Sequence, residues 1–221
     1  MSGGQPVPVI APLRIGQGLD VHPFAPVGER PLVLGGVVVP GAPGLVGHSD
    51  ADVIAHALAD ALLGAAGLGD IGHHFPADQP EWAGADSTDL LARVVAMVGD
   101  ARWQPVNAQC TVVCERPKLA GHLPAMVDRL SMVVGAPVAV TAKRAEGLGA
   151  LGRVEGIACL AVVLLAAEPP RDPAAAQSDP AAFEAEPAAA GAEPAAFEAE
   201  PAVAGAELAA VEAGPTAGEL A

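Results

Sequence analysis

Between Leu13 and Leu165 the chain alternates between two hydrophobic rhythms. Leu13 to Val21 reads as a first strand, and Leu32 to Leu34, Gly35-Gly36 and Val37 to Val39 read as a hairpin whose glycines can adopt positive φ. From Asp52 to Ala66 the rhythm becomes helical, with Ile54, Leu58, Ala61, Leu62 and Ala65 on one face and Ser49 or Asp50 placed to cap the start. A second helix begins near Ser87 and carries Leu90, Leu91, Val94, Val95 and Val98. Val106 to Cys114 is a strand, Leu119 to Val134 a third helix with Pro124 in its first turn, and Val138 to Thr141 and Ile157 to Leu165 are the closing strands. This order predicts an α+β fold, a mixed four- to five-stranded sheet with helices packed on one face.

Past residue 167 the pattern stops. Pro180 to Glu193 recurs as Pro194 to Glu207 with a single change, Ala189 becoming Val203. An Ala/Pro/Glu repeat holds too little bulky apolar surface to offset chain entropy, so residues 168–221 read as a flexible tail, as do residues 1–12 at the other end. Phe183 and Phe197 leave open a partner-binding role for the tail. The domain expected to do the work is 13–167.

That division changes the meaning of the net charge of −15. From Glu168 onward there are 11 acidic residues against one basic, and before it 15 against ten. The domain is therefore only mildly acidic, which argues against a nucleic-acid partner. No apolar run is long enough to cross a bilayer, and no signal-type segment opens the chain. Three cysteines, Cys110, Cys114 and Cys159, form no paired framework, so a reducing, cytoplasmic setting is expected. Cys110 and Cys114, four apart on one predicted strand, read as packed thiols rather than zinc ligands.

The candidate chemistry is concentrated in two segments. Asp20 and His22 lie at i and i+2 of a strand, so both side chains face the same way. Asp52, His56 and Asp60 recur at helical spacing as a stripe without Lys or Arg. One histidine of that stripe with Asp20 and His22 would make three protein ligands and leave a fourth position open, as catalytic zinc requires. An ordinary solvated face and a polar strand end read equally well. Gly16-Gln17-Gly18 lacks the third glycine and the helix of a dinucleotide fingerprint, and reads as strand flexibility or a place of close backbone approach. His48-Ser49-Asp50 precedes a helix start, where free N–H groups favour an anion.

Taken in order, Arg14-Ile-Gly-Gln-Gly-Leu-Asp20-Val-His22, His48-Ser-Asp-Ala-Asp52, His56, Asp60 through Gly72, Phe75-Pro76, Arg116-Pro117-Lys118 and Gly152-Arg153-Val-Glu155-Gly156 resemble the 2-C-methyl-D-erythritol 2,4-cyclodiphosphate synthases from about residue 13 to 166. The resemblance implies a homotrimer with each active site between two subunits. It implies a nucleotide substrate, 4-diphosphocytidyl-2-C-methyl-D-erythritol 2-phosphate, cyclised with release of CMP in non-mevalonate isoprenoid synthesis. Asp20, His22 and His56 match the Zn2+ ligands, and Asp20 and His22 also border the substrate. Glu146 matches the carboxylate that holds Mg2+ or Mn2+ on the diphosphate.

His48 matches a transition-state stabiliser and Ser49 a neighbouring substrate contact. Asp70, Ile71 and Gly72, with Phe75 beyond them, match the ribose-side loop. Cys114, Lys118, Leu119 and Ala120 fall in the cytidine-binding segment. Lys143-Arg144-Ala145-Glu146 departs from the family's threonine-rich turn. Arg144 stands where a phosphate-contacting threonine is usual; its charge suits that role, and altered kinetics or a different ligand reads equally well. Arg153 and Glu155 fit a turn near the trimer axis, as a structural ion pair or as ligand contacts. His73-His74 is unusual for its loop, and Ala77 replaces an acidic residue.

Two other readings share these residues. A zinc phosphohydrolase would need a water-activating base, and a trimeric binding module would hold nucleotide without turnover. A fused cytidylyltransferase, known in some members, is not expected from the short segment before Leu13.

Overall fold

The computed structural model describes residues 12–168, so the expectations for residues 1–11 and for the repeat tail lie outside the described residues. The elements are β1 (Leu13–Pro23), β2 (Pro31–Leu34), β3 (Val37–Pro43), α1 (Val53–Ala66), α2 (Ile71–His74), α3 (Ser87–Asp100), β4 (Trp103–Val113), α4 (Leu123–Val134), β5 (Val138–Lys143), α5 (Gly149–Gly152) and β6 (Gly156–Ala167), with a 3-10 turn at Pro80–Trp82. Four strands form the main sheet in the order β1-β6-β4-β5, antiparallel except for the parallel β4–β5 pair, and β2-β3 is a separate hairpin. The α+β expectation and its mixed sheet are met.

Helix α1 lies on β1 and β6 and is covered in turn by α3, while α4 packs on β5. That sandwiching explains why α1 is apolar apart from His56 and Asp60, with 11 of its 14 residues buried. The glycines before Asp20 let it come so close. A Cβ on Gly16 would sit 1.9 Å from the Ala61 carbonyl oxygen, and one on Gly18 2.0 Å from that of Ala57. No rotamer change relieves a clash with backbone, so the glycine pair sets the spacing between strand and helix.

Two expectations about helix starts are corrected. Asp52, not Ser49 or Asp50, caps α1, its carboxylate accepting from the Ile54 and Ala55 N–H groups. The same carboxylate accepts from Gly35 and Gly36, whose φ of 58° and 70° makes the β2-β3 turn. Four N–H donors stabilise a fully buried Asp52, although burial still pushes its carboxyl above the usual range. Helix α4 begins at Leu123 rather than Leu119, because residues 119–122 form a turn in which the Leu119 carbonyl accepts from His122 and Leu123.

The register brings separate segments to one end of the sheet. His22 pairs with Ile157, Val113 with Ala158, and Val113 with Lys143. The strand ends carrying Asp20 and His22, Cys114, and Lys143 with Arg144 therefore lie together, and the N-terminal end of α1 joins them. Among the described residues the other face of the sheet carries no helix, and it exposes Ile15, Leu19, Val21, Leu160 and Val162.

Candidate metal centre and cavity

Asp20 and His22 project from the inner face of β1 towards α1, where His56 meets them one turn into the helix. Asp20 Oδ2 lies 2.9 Å from His22 Nε2 and 3.0 Å from His56 Nδ1, and the two ring nitrogens are 3.2 Å apart. A tetrahedral ion with arms of about 2.0–2.1 Å needs ligand atoms about 3.3 Å apart, so this triangle is within a few tenths of that size. The three side chains are 13 to 22% exposed, which leaves one side open to solvent or ligand.

The tautomer of His22 tests whether a cation belongs there. Its Nδ1 lies 2.7 Å from the Val46 carbonyl oxygen, which can only accept, so Nδ1 carries the proton and Nε2 turns a lone pair on Asp20. Lone pairs facing a carboxylate at 2.9 Å repel unless a cation sits between them. Burial opposes the charge on Asp20, but the His22 and His56 rings beside it hold its carboxyl well below the usual range, and Asp20 in turn raises the His22 pKa. One carboxylate and two imidazoles fit a divalent metal ion.

The polar stripe on α1 is therefore only partly a metal face. Asp52 is spent on the cap and the hairpin, and Asp60 accepts from the Ile71 N–H at 2.7 Å, anchoring the loop that Asp70 continues. Nor does the helix start offer free N–H groups to an anion at His48-Ser49-Asp50, since the Asp52 carboxylate holds those of Ile54 and Ala55. His48 instead points its Nε2 at the Gln79 carbonyl, 3.0 Å away. Ser49 is buried, with its hydroxyl 3.0 Å from His56 Nε2.

Arg30 holds this loop in place through the carbonyls of Gly47 and Ser49. Arg30 had no motif to announce it, and only the fold brings it under the loop.

Asp70 caps the short α2 through the His73 N–H, and His74 Nε2 lies 2.8 Å from the Leu68 carbonyl. Phe75 is buried edge-on against Trp82, 5.1 Å between centroids. Ile71 and Gly72 lie in the same helix and are not part of the triad.

A cavity of about 1000 Å3 opens between the segment after β1 and the segments after β4 and β5. Cys114, Lys118, Leu119, Ala120, Lys143 and Arg144 all line it, and so do Phe24 to Val27 and Gly41 to Pro43, which sequence reading did not single out. Cys114 is buried, and burial pushes its thiol up to about 11, so it lines the wall without acting as a nucleophile. Arg144 donates to the Glu115 carboxylate, which also accepts from the Ala145 N–H at 3.1 Å. That clasp holds the turn on which Glu146 sits exposed at a φ of 52°. Arg153 and Glu155 form an exposed ion pair at 2.6 Å. Among the described residues Glu146 is not part of the metal-ligating group.

The pattern of the YgbB family matches residues 13–166. A 2-C-methyl-D-erythritol 2,4-cyclodiphosphate synthase of Symbiobacterium thermophilum is 56% identical over 157 residues, covering 70% of this chain and 99% of its own. One of Bordetella petrii is 55% identical over 158 residues, covering 70% and 96%. Among solved structures, the bifunctional IspDF from Campylobacter jejuni aligns at a TM-score of 0.68 and 38% identity, over 71% of this chain and 43% of that one. An IspF of Plasmodium falciparum in complex with CDP aligns at 0.62 and 29% identity, over 73% of this chain and all of that one.

Proposed function

The chain belongs to the YgbB family, and from that premise we propose that it converts 4-diphosphocytidyl-2-C-methyl-D-erythritol 2-phosphate to 2-C-methyl-D-erythritol 2,4-cyclodiphosphate and CMP. An oxygen of the 2-phosphate bonds to the β-phosphorus as the bridging bond to the cytidine-bearing phosphate breaks, and the bond's electron pair leaves with CMP. The convergence of Asp20, His22 and His56 at the sheet end that also carries the cavity is the observation that supports this reading best.

Asp20, His22 and His56 would hold Zn2+, and Glu146, an exposed carboxylate, suits Mg2+ or Mn2+ bound mostly by substrate phosphates. Bound there, the ions would supply Lewis-acid neutralisation of phosphate charge and a template for the reacting groups. The protein's own groups do the rest. Lys118, Lys143 and Arg144 bring positive charge to the cavity where a diphosphate must be held against repulsion. His48 can turn its Nε2–H from the Gln79 carbonyl to a phosphate oxygen, with the Ser49 hydroxyl beside it. Phe24, Leu119 and Ala120 supply apolar wall for a base, and the Asp70 to Gly72 loop, with Phe75 beneath it, frames the sugar side. No protein nucleophile is required.

The assembly is a homotrimer in this reading, with the metal group of one subunit facing the cavity of the next. The uncovered apolar sheet face supports it, since Ile15 is 75% exposed and Leu19 62%, positions that a second copy of the same surface would bury. Arg153 and Glu155 follow that face and suit a contact at the trimer axis. Among the described residues no helix is long and apolar enough to cross a membrane, and the cytoplasm is the proposed setting.

Phosphorus NMR of the purified protein with this substrate, Zn2+ and Mg2+ tests the reading. A cyclic diphosphate and CMP are expected, with the rate reduced by about a thousandfold in His56→Ala. A linear phosphate product would favour a phosphohydrolase, and CMP binding without turnover a binding module.

A further inference from the structure

Behind the metal group lies a chain of buried and half-buried polar atoms that ends on Ser87 and Asp50, to which the proposed reaction gives no role. His56 turns Nδ1 to Asp20 and His22, and its Nε2 faces the opposite way, 2.9 Å from Ser87 Oγ and 3.0 Å from Ser49 Oγ. Ser87 opens α3, is 1% exposed, and sits 2.5 Å from Asp50 Oδ1. Asp50 is itself fixed, its carboxylate accepting from the Ser87 and Asp52 N–H groups and its own N–H donating to the Ala85 carbonyl.

The Asp50 carboxylate already accepts from the Ser87 and Asp52 N–H groups, and the Ser87 hydroxyl gives its one proton to the same carboxylate. Ser87 Oγ then has only lone pairs left for its other neighbours. The Ser49 hydroxyl, 3.0 Å away, can donate to it while accepting from the Ala51 N–H. His56 Nε2 faces two oxygens, and the nearer of them can only accept. With the Ser49 proton turned to Ser87 Oγ, both oxygens are acceptors towards His56, so its proton is on Nε2 and the Nδ1 lone pair faces Asp20.

We propose that Asp50 and Ser87 are positioning residues of the metal centre, a carboxylate and a bridging hydroxyl that lock His56 in the Nε2–H tautomer and so keep Nδ1 ready for the metal. The inference rests on the metal reading given above and deepens it. His22 is set by a backbone carbonyl, which no side-chain change removes, whereas His56 depends on a side chain 31 positions away on another helix. Removing the Ser87 hydroxyl leaves Ser49, which can either accept from Nε2–H or donate to a bare Nε2, so the tautomer is no longer fixed.

Two measurements on the full chain test this. Zinc affinity by chelator competition is expected to fall by about ten- to a hundredfold in Ser87→Ala, as for other lost partners of metal-bound histidine, and to return in Ser87→Thr. Nitrogen-15 NMR of the histidine rings in the metal-free wild type is expected to show His56 protonated at Nε2, with the tautomers mixed in Ser87→Ala. A wild-type His56 protonated at Nδ1, or Ser87→Ala protein holding zinc within about twofold of wild type, overturns the relay. Wild-type protein that binds no zinc at all overturns the metal reading beneath it.

Discussion

The two halves of the candidate site are built differently. Around the metal group every outward-facing polar atom is met by the protein: His22 by Val46, His56 by Ser87 and Ser49, the loop carbonyls by Arg30. Around the cavity the charged groups are loosely held. Lys143, Arg144 and Glu146 are exposed, and a single carboxylate, Glu115, clasps the turn that carries them. The difference suits what each half must hold. A small ion of fixed geometry demands ligands placed within tenths of an ångström, and only packing and buried hydrogen bonds give that. A flexible, highly charged substrate is recognised by groups that reach out and settle on it, and in the proposed trimer it meets the next subunit's metal group as well.

If the metal half depends on packing, then damage far from its ligands should break it. Gly18→Ala places a Cβ against the Ala57 carbonyl and pushes the helix carrying His56 off the strand carrying Asp20 and His22. The expected cost is about 3 kcal/mol of stability, measured by urea denaturation, together with a loss of zinc affinity in the protein that remains folded. The cavity half should respond to local charge alone. Arg144→Ala is expected to lower kcat by about ten- to a hundredfold while zinc affinity stays at the wild-type value, a split that steady-state kinetics and chelator competition resolve.

The smallest effect concerns the Glu115 clasp. The Arg144 guanidinium holds the Glu115 carboxyl below its usual range. A carboxyl with a lowered folded pKa adds stability above its unfolded pKa of about 4.3, and loses it as pH falls through the folded value. Thermal melts of Glu115→Gln should therefore lie no more than about 2 °C below wild type at pH 7, and the gap should close below about pH 4.

How much of this the sequence discloses follows the same division. Asp20-x-His22 and His56 are legible because each spacing reflects a local rule, alternation on a strand and one turn of a helix. The glycines before them mark the close approach for the same reason. Asp52 misleads at this level: an acidic residue on a polar stripe resembles a ligand, yet it is wholly buried as a cap shared with a hairpin. Arg30, Asp50 and Ser87 act across 17 to 37 positions of chain, where no periodicity reports on contact. The cavity's Phe24 to Val27 wall is invisible for that reason too.

The most direct measurement is complementation between two inactive chains. One carries His56→Ala, which empties the metal half. The other carries Arg144→Ala with Glu146→Gln, which disables the cavity half. When the two are co-expressed and assemble at random, roughly a quarter of the sites between subunits should combine one intact half of each kind. Cyclic diphosphate formation at roughly a quarter of the wild-type rate is the expected result. A mixture no more active than its two parents would contradict a site shared between neighbouring subunits.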